Sequence, residues 1–349
     1  MSENQQPEPK APWASFCMST YKRPVFLENQ IKTLLQQTFD DFEIIISDND
    51  PEKTAGDVVK KFDDARIIYQ HNAENLGMVK SFNKSLARSR GEFIVMITDD
   101  DPVYPDMLQS LRELSIKYPG YGMYQGGCEI LCYSPFSAKV MRAKVGVNSC
   151  LSSEMDYNEE KTYSAEEFPY LFFKGKLGSL LLWSVGIVRR EILIANGGMP
   201  DYGTEYFTDH AYMVVNGSKQ GMVYLNRSLG HQAIHGENFG FNQIKNLDKY
   251  KAIPDSFTNW VASRMRDRKD WPQLEETMYS FVARSLVEFS VFIKNSLHDL
   301  NLPDNDFKSA RKEVFNRPYM HKWKKKYFIL SKYPATFNYI LQLKRKFIG

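Results

Sequence analysis

From Trp13 the chain alternates regularly between apolar runs and amphipathic stretches. "WASFCMST" predicts a strand. "RPVFLENQIKTLLQQT" sets Leu27, Ile31, Leu34 and Leu35 on one helical face. "FEIIISD" is short, apolar and rich in β-branched residues, which predicts a buried strand. "TAGDVVKKF" groups Val58, Val59 and Phe62 as a short helix. "ARIIYQ" predicts a third strand, "MVKSFNKSLARS" a helix, "GEFIVMIT" a fourth strand and "PDMLQSLRELSIKY" a helix. This alternation predicts an α/β fold with a mainly parallel sheet flanked by helices.

Ligands of such sheets bind beyond the carboxyl ends of the strands. Polar clusters stand at three of those ends: "STYKR" (19–23), "SDND" (47–50) and "TDDD" (98–101). The middle, about 120–240, is irregular. From about 245 the pattern is mostly helical. The predicted organisation is a disordered polar tail over 1–12, a sheet domain over 13–244 and a helical region over 245–349.

Composition changes this picture little. The 349 residues are 43% hydrophobic and 25% charged with a net charge of +3, enough for a sizeable core and no argument for nucleic acid. Cys17, Cys128, Cys132 and Cys150 form no CxxC unit and read as small buried thiols. No run of about eighteen apolar residues predicts a membrane span.

Asp99, Asp100 and Asp101 repel one another at the end of a buried strand. Hard divalent cations, Mn²⁺ or Mg²⁺, want such carboxylates and share their coordination with substrate phosphates. A helix cap at Asp101-Pro102 is the other reading, and it uses only one of the three.

"STYKRPVFLENQIKTLLQQTFDDFEIIISDND", "NAENLGMVKSFNKSLARSRGEFIVMITDDDPVYPDML" and the later "GG…TDHAYM" resemble glycosyltransferase family 2 enzymes of GT-A fold. The resemblance covers about 15–240. It implies a Rossmann-like sheet and an inverting transfer of sugar from a nucleotide-diphosphate donor to an acceptor hydroxyl. It assigns nucleotide contacts to Thr20, Tyr21, Arg23, Asp48, Asn75, Gly77, Lys80 and Asp99. Asp48 favours a pyrimidine, with uridine the default. The metal ligands it implies are Asp100, Asp101 and His235, the last chosen over His231 because "AIHGEN" fits the family's terminal histidine motif. Asp209 matches the catalytic base, although Thr208 stands where a glutamate is usual. Without the resemblance, Asp209 reads as a helix cap. Trp183 and Gly186 fall in the loop lining the donor and acceptor pocket. Trp183 suits sugar stacking and core packing equally.

The segment 317–349 has nine Lys/Arg, no acid and interleaved aromatics. These residue types suit an anionic membrane surface, a helix packed on the domain or single-stranded nucleic acid, with the membrane favoured. The expected protein is a cytoplasmic enzyme, peripheral on the inner membrane. It would act on a glycan or lipid-linked acceptor in bacterial surface polysaccharide synthesis. A non-catalytic nucleotide-sugar or glycan-binding module is the alternative. A nucleotidyl or phosphoryl transferase would need a phosphate-cradling motif, and none occurs.

Overall fold

The structure is a computed structural model that describes residues 10–141, 143–235, 238, 243 and 245–332. Most of the predicted tail over 1–12, and the segment 333–349, lie outside the described residues.

The first half follows the apolar pattern. Strands β1 (Ala14–Thr20), β2 (Phe42–Asp48), β3 (Ile67–His71) and β4 (Phe93–Thr98) alternate with helices α1 (Pro24–Leu35), α2 (Thr54–Val59), α3 (Met78–Arg88) and α4 (Met107–Lys117). Leu27, Ile31 and Leu34 of α1 are fully buried, as their shared face predicts. After these come β5 (Met123–Cys132), α5 (Pro135–Met141), β6 (Gly146–Ser149), β7 (Glu160–Tyr163), α6 (Phe168–Lys174), β8 (Gly186–Arg189), α7 (Arg190–Ala195), α8 (Thr208–Gln220) and β9 (Met222–Ile234).

The described strands form one sheet in the order β3-β2-β1-β4-β8-β5-β9-β7, with β6 paired to β5. The β3-β2-β1-β4 half is parallel. The other half is mixed, with β8 antiparallel to both β4 and β5 and β7 antiparallel to β9. "Mainly parallel" therefore holds for the first half only. The order reverses around β1, so the ends of β1, β2 and β4 face one crevice, the usual ligand position in an open α/β sheet.

Four helices complete the described chain: α9 (Leu247–Met265), α10 (Trp271–Asn295), α11 (Asp304–Phe315) and α12 (Lys324–Lys332). Their core is continuous with the sheet domain, because Phe173 of α6 and Ala211, Val214 and Val215 of α8 share one apolar cluster with them. The described part of the basic-aromatic tail packs on this bundle. Tyr319 stacks on Tyr279 at 4.7 Å between ring centroids, and Met320, Tyr327 and Leu330 are buried. Such a ring pair contributes about 0.5–1.5 kcal/mol beyond its buried area. Phe328 and Ile329 instead face out. Packing thus accounts for the inward face of 317–332, and the membrane reading is left with its outward face. No helix among the described residues is long and apolar enough to cross a membrane.

Candidate active site

Thr20 ends β1 beside Asp48 of β2, and Ser19 pairs with Thr98 of β4. This register brings the first and third polar clusters together. The Thr20 hydroxyl donates to Asp99 Oδ2 at 2.7 Å. Arg23, just before α1, donates through one guanidinium nitrogen to Asp99 Oδ1 at 3.2 Å and to Asp100 Oδ2 at 2.8 Å. His235 Nε2 lies 3.1 Å from the same Asp100 oxygen. Phe26 stacks on the His235 ring at 4.6 Å and also lies beneath the Arg23 guanidinium. Arg23 and Phe26 are three residues apart at the start of α1, a spacing that lets them share a face.

The Arg23 guanidinium and the His235 imidazole therefore both touch the aspartates. Burial pushes the Asp99 carboxyl up, and the Asp100 charge pushes it further. Burial would also raise Asp100, but the His235 hydrogen bond and the Arg23 charge bring it below the usual carboxylate range.

Asp101 does not join them. Its Oδ1 accepts the Ala233 amide at 3.0 Å, Ser184 donates to its Oδ2, and its carbonyl accepts from Gln30. Burial first and the Asp100 charge second raise its carboxyl well above the ordinary range. It fastens β9 and the 183–185 turn to the end of β4. Both of its oxygens are taken up by these partners, which argues against the metal-ligand role expected for it. His231 is also elsewhere, within reach of the Tyr104 hydroxyl and Glu129.

The donor set at the crevice is carboxylate plus imidazole, and its carboxylates suit Mn²⁺ or Mg²⁺. Among the described residues no three His, Cys, Asp or Glu side chains converge closely enough to hold a cation. Asp100 with His235, and Asp99 alongside, fit a cation that takes its other ligands from water and a diphosphate.

The second strand end is more enclosed than its assigned role suggests. Asp48 is fully buried; its oxygens accept from the Tyr69 hydroxyl at 2.8 Å and the Asp50 amide at 2.9 Å. Tyr21 is 44% exposed and open to a ligand. The Asn75 side chain accepts the Gly77 amide. Gly77 has a φ of 80°, which favours glycine at this entry to α3. Gly77 and the exposed Lys80 border a recess of about 180 Å³ with Asp201, Thr204 and Glu205 across from them.

Trp183 packs against Phe82 and Tyr212. Gly186 begins β8 in extended backbone, where a Cβ would collide with the Gln125 side chain. That close approach is to protein, so the glycine is explained by packing.

Asp209 lies in the first turn of α8, where the N-cap position is Phe207. Phe207 has a φ of 61°, a left-handed conformation that costs a non-glycine residue roughly 1–3 kcal/mol. Asp209 is therefore not the cap. Its side chain is 56% exposed, and Oδ1 accepts from the His210 amide at 2.8 Å and contacts His210 Nδ1 at 2.7 Å. The His210 ring nests among Phe172, Phe207 and Phe281, the last from α10. Desolvation works against both charges, yet their mutual attraction lowers the Asp209 carboxyl and raises the His210 imidazole. Sequence reasoning missed His210, and its position beside the candidate base was the available signal.

Carboxylates at the switch point of an α/β sheet, together with a half-exposed aspartate at a helix start, suit a phosphorylated ligand and an acid–base group. Residues 15–129 match the model of glycosyl transferase family 2, which supports the resemblance read from the sequence over that part of the chain. The chain is 26% identical to the Campylobacter jejuni GalNAc(5)-diNAcBac-PP-undecaprenol beta-1,3-glucosyltransferase over 220 residues, 62% of this chain and 63% of that protein. It is 34% identical to the abequosyltransferase RfbV of Salmonella typhimurium over 103 residues, 28% of this chain and 31% of that one. It thus spans less than two thirds of the length of either relative. Its fold is shared with residues 1–349 of S. aureus TarS, crystallised with UDP-GlcNAc, at a TM-score of 0.59 and 14% identity, covering 90% of this chain and 92% of that one. The matched family and both relatives are named as glycosyltransferases.

Proposed function

We propose that this protein transfers a sugar from a UDP-sugar to a hydroxyl of a glycan or lipid-linked acceptor in bacterial surface polysaccharide synthesis, with inversion at the anomeric carbon. The observation that carries this reading is the convergence of Thr20, Arg23, Asp99, Asp100 and His235 at the ends of β1 and β4. The UDP-GlcNAc complex of TarS supports the uridine donor, and the undecaprenol-linked substrate in the Campylobacter relative's name supports the acceptor class. The protein works at the cytoplasmic face of an anionic membrane, held through the segment 317–349, whose described part turns Phe328 and Ile329 outward.

The acceptor oxygen attacks the anomeric carbon and its proton passes to Asp209. The bond from that carbon to the diphosphate breaks, and UDP leaves with the electron pair. Arg23 neutralises the crevice as the diphosphate enters, and His235 with Asp100 would hold Mn²⁺ or Mg²⁺. When bound, the metal supplies charge stabilisation for the departing diphosphate.

Melting temperature tests the donor. UDP-sugar with Mn²⁺ is expected to raise it by several degrees, more than GDP-, CDP- or dTDP-sugars, since a ligand at about 100 times its Kd adds about 2.7 kcal/mol. A larger rise with GDP-sugar would reject the uridine assignment. A non-catalytic binding module is the second reading. It is favoured by the Arg23 ion pairs, which balance Asp99 and Asp100 without a metal. Donor hydrolysis in Mn²⁺ decides between the two.

The Asp209–His210 pair gives the reaction a pH signature. The lowered Asp209 pKa contributes stability above the unfolded value of 3.8, lost as pH falls through the folded value. The raised His210 pKa contributes stability below 6.5, lost as pH rises through its folded value. Asp209 is a stronger base once His210 has lost its proton. Turnover is expected to climb with pH above 6.5, and His210→Phe is expected to flatten that limb. An unchanged pH profile in His210→Phe would remove the imidazole from the mechanism.

A further inference from the structure

A second recess, of about 760 Å³, opens in the helical region between the end of α10, α11 and α12. Its floor is aromatic: Phe307, Phe315 and Tyr327 are buried there, with Phe315 edge-on to Tyr327 at 5.2 Å. Phe328 stands at its lip, 64% exposed. The rim is cationic, formed by Lys294, Lys308, Arg311, Lys312, Lys324 and Lys332. Asp304 is the acid in this lining, and it pairs with Lys308. Arg311 bonds the Tyr327 hydroxyl and lies over its ring. Lys294, Lys312 and Lys324 have no carboxylate partner among the described residues.

We propose that this recess binds the phosphate headgroup of an anionic membrane lipid, with its chain laid over Phe328 and the aromatic floor. The charge pattern selects the occupant. A free phosphate satisfies the rim but leaves the apolar floor wet. An apolar ligand covers the floor but leaves like charges facing one another across the recess. The chain's own segment 333–349 has apolar residues to offer, but it carries Lys344, Arg345 and Lys346 and no acid, so it adds to the rim's charge. An anionic amphiphile satisfies both parts. Phe328 and Ile329, exposed side by side on α12, give the surrounding bilayer an apolar footing. This inference rests on the membrane-associated reading above and is independent of the donor chemistry.

Full-chain protein is sedimented with vesicles of phosphatidylglycerol and phosphatidylcholine, and with phosphatidylcholine alone. The parent is expected to bind the first and not the second. Lys312→Glu/Lys324→Glu is compared with Lys322→Glu/Lys325→Glu, which makes the same charge change at exposed lysines outside the recess. The recess pair is expected to bind roughly tenfold more weakly than the comparator pair. Phe328→Ser is expected to weaken binding without any change of charge. UDP-sugar affinity is expected to be unchanged throughout, which separates failure here from failure of the transferase reading. Equal losses in the two pairs would mean diffuse electrostatics and overturn the site. So would release of the parent by soluble glycerol phosphate at concentrations comparable to the lipid, which assigns the rim to a free phosphate. No binding by the parent overturns both the site and the membrane reading, and leaves 333–349 as the segment to cover the floor.

Discussion

Asp209→Asn is expected to cut turnover on the order of 10²–10⁴-fold, the range for loss of a general base, with donor affinity nearly unchanged. The geometry makes this substitution clean. Oδ1 accepts from the His210 amide and contacts His210 Nδ1, and an asparagine oxygen can keep both. The second oxygen has no partner among the described residues, and the side chain is 56% exposed, so it is the atom open to an acceptor hydroxyl. Replacing that oxygen by an amide nitrogen keeps the shape and removes the lone pair that takes the proton. Thr208, the preceding residue, is buried. Steady-state kinetics with saturating donor, together with donor titration, check the split. A collapse of donor affinity with a normal rate at saturation would make Asp209 a binding residue.

The parallel half of the fold was legible because buried parallel strands are unbroken apolar runs. "SFCMS", "FEIIIS" and "FIVMIT" need no alternation, since both faces are covered. The strands β5 and β9 were not legible. In β5, Gly126 and Gly127 interrupt the apolar pattern; the register shifts there, and a Cβ at Gly126 would collide with Leu229. In β9, Asn226, Arg227 and Ser228 interrupt the apolar pattern. The interruption is structural, because buried Asn226 ties the 152–156 loop to the strand through its side chain. The tail shows a similar partial legibility. Tyr319, Trp323 and Tyr327 recur every four residues, which marks one inward face, while composition alone pointed the whole segment at a membrane.

The candidate site divides the same way. Chemistry at strand ends was readable, because carboxylates do not gather there without something to balance them. Which aspartate faces the crevice was not readable from three identical letters. That choice is made by partners distant in sequence: His235 for Asp100, the Ala233 amide and Ser184 for Asp101, and Thr20 for Asp99. His210 was missed for a similar reason, since the aromatic nest that fixes it is completed by Phe281 of α10.

Asp100→Ala is expected to lower transfer on the order of 10²–10³-fold or more, the scale of losing one electrostatic stabiliser of a leaving group. The rise in melting temperature on adding Mn²⁺ should be lost with it. Repulsion alone would make the protein more stable without Asp100, because three clustered carboxylates destabilise an empty site. The structure argues against a large gain. Arg23 already pairs with Asp100 and His235 bonds it, and removing it strips His235 of its carboxylate while Arg23 keeps Asp99. The two effects oppose each other, so the metal-free melting temperature should stay close to the parent's. Asp101→Asn is the informative comparison, because that side chain holds the Ala233 amide and Ser184 rather than facing the crevice. An asparagine oxygen can still accept from Ala233, so Mn²⁺ dependence should survive in Asp101→Asn. Full Mn²⁺-dependent turnover in Asp100→Ala, or loss of the Mn²⁺ response in Asp101→Asn alone, would move the metal to the other aspartate and reverse the assignment made from the geometry.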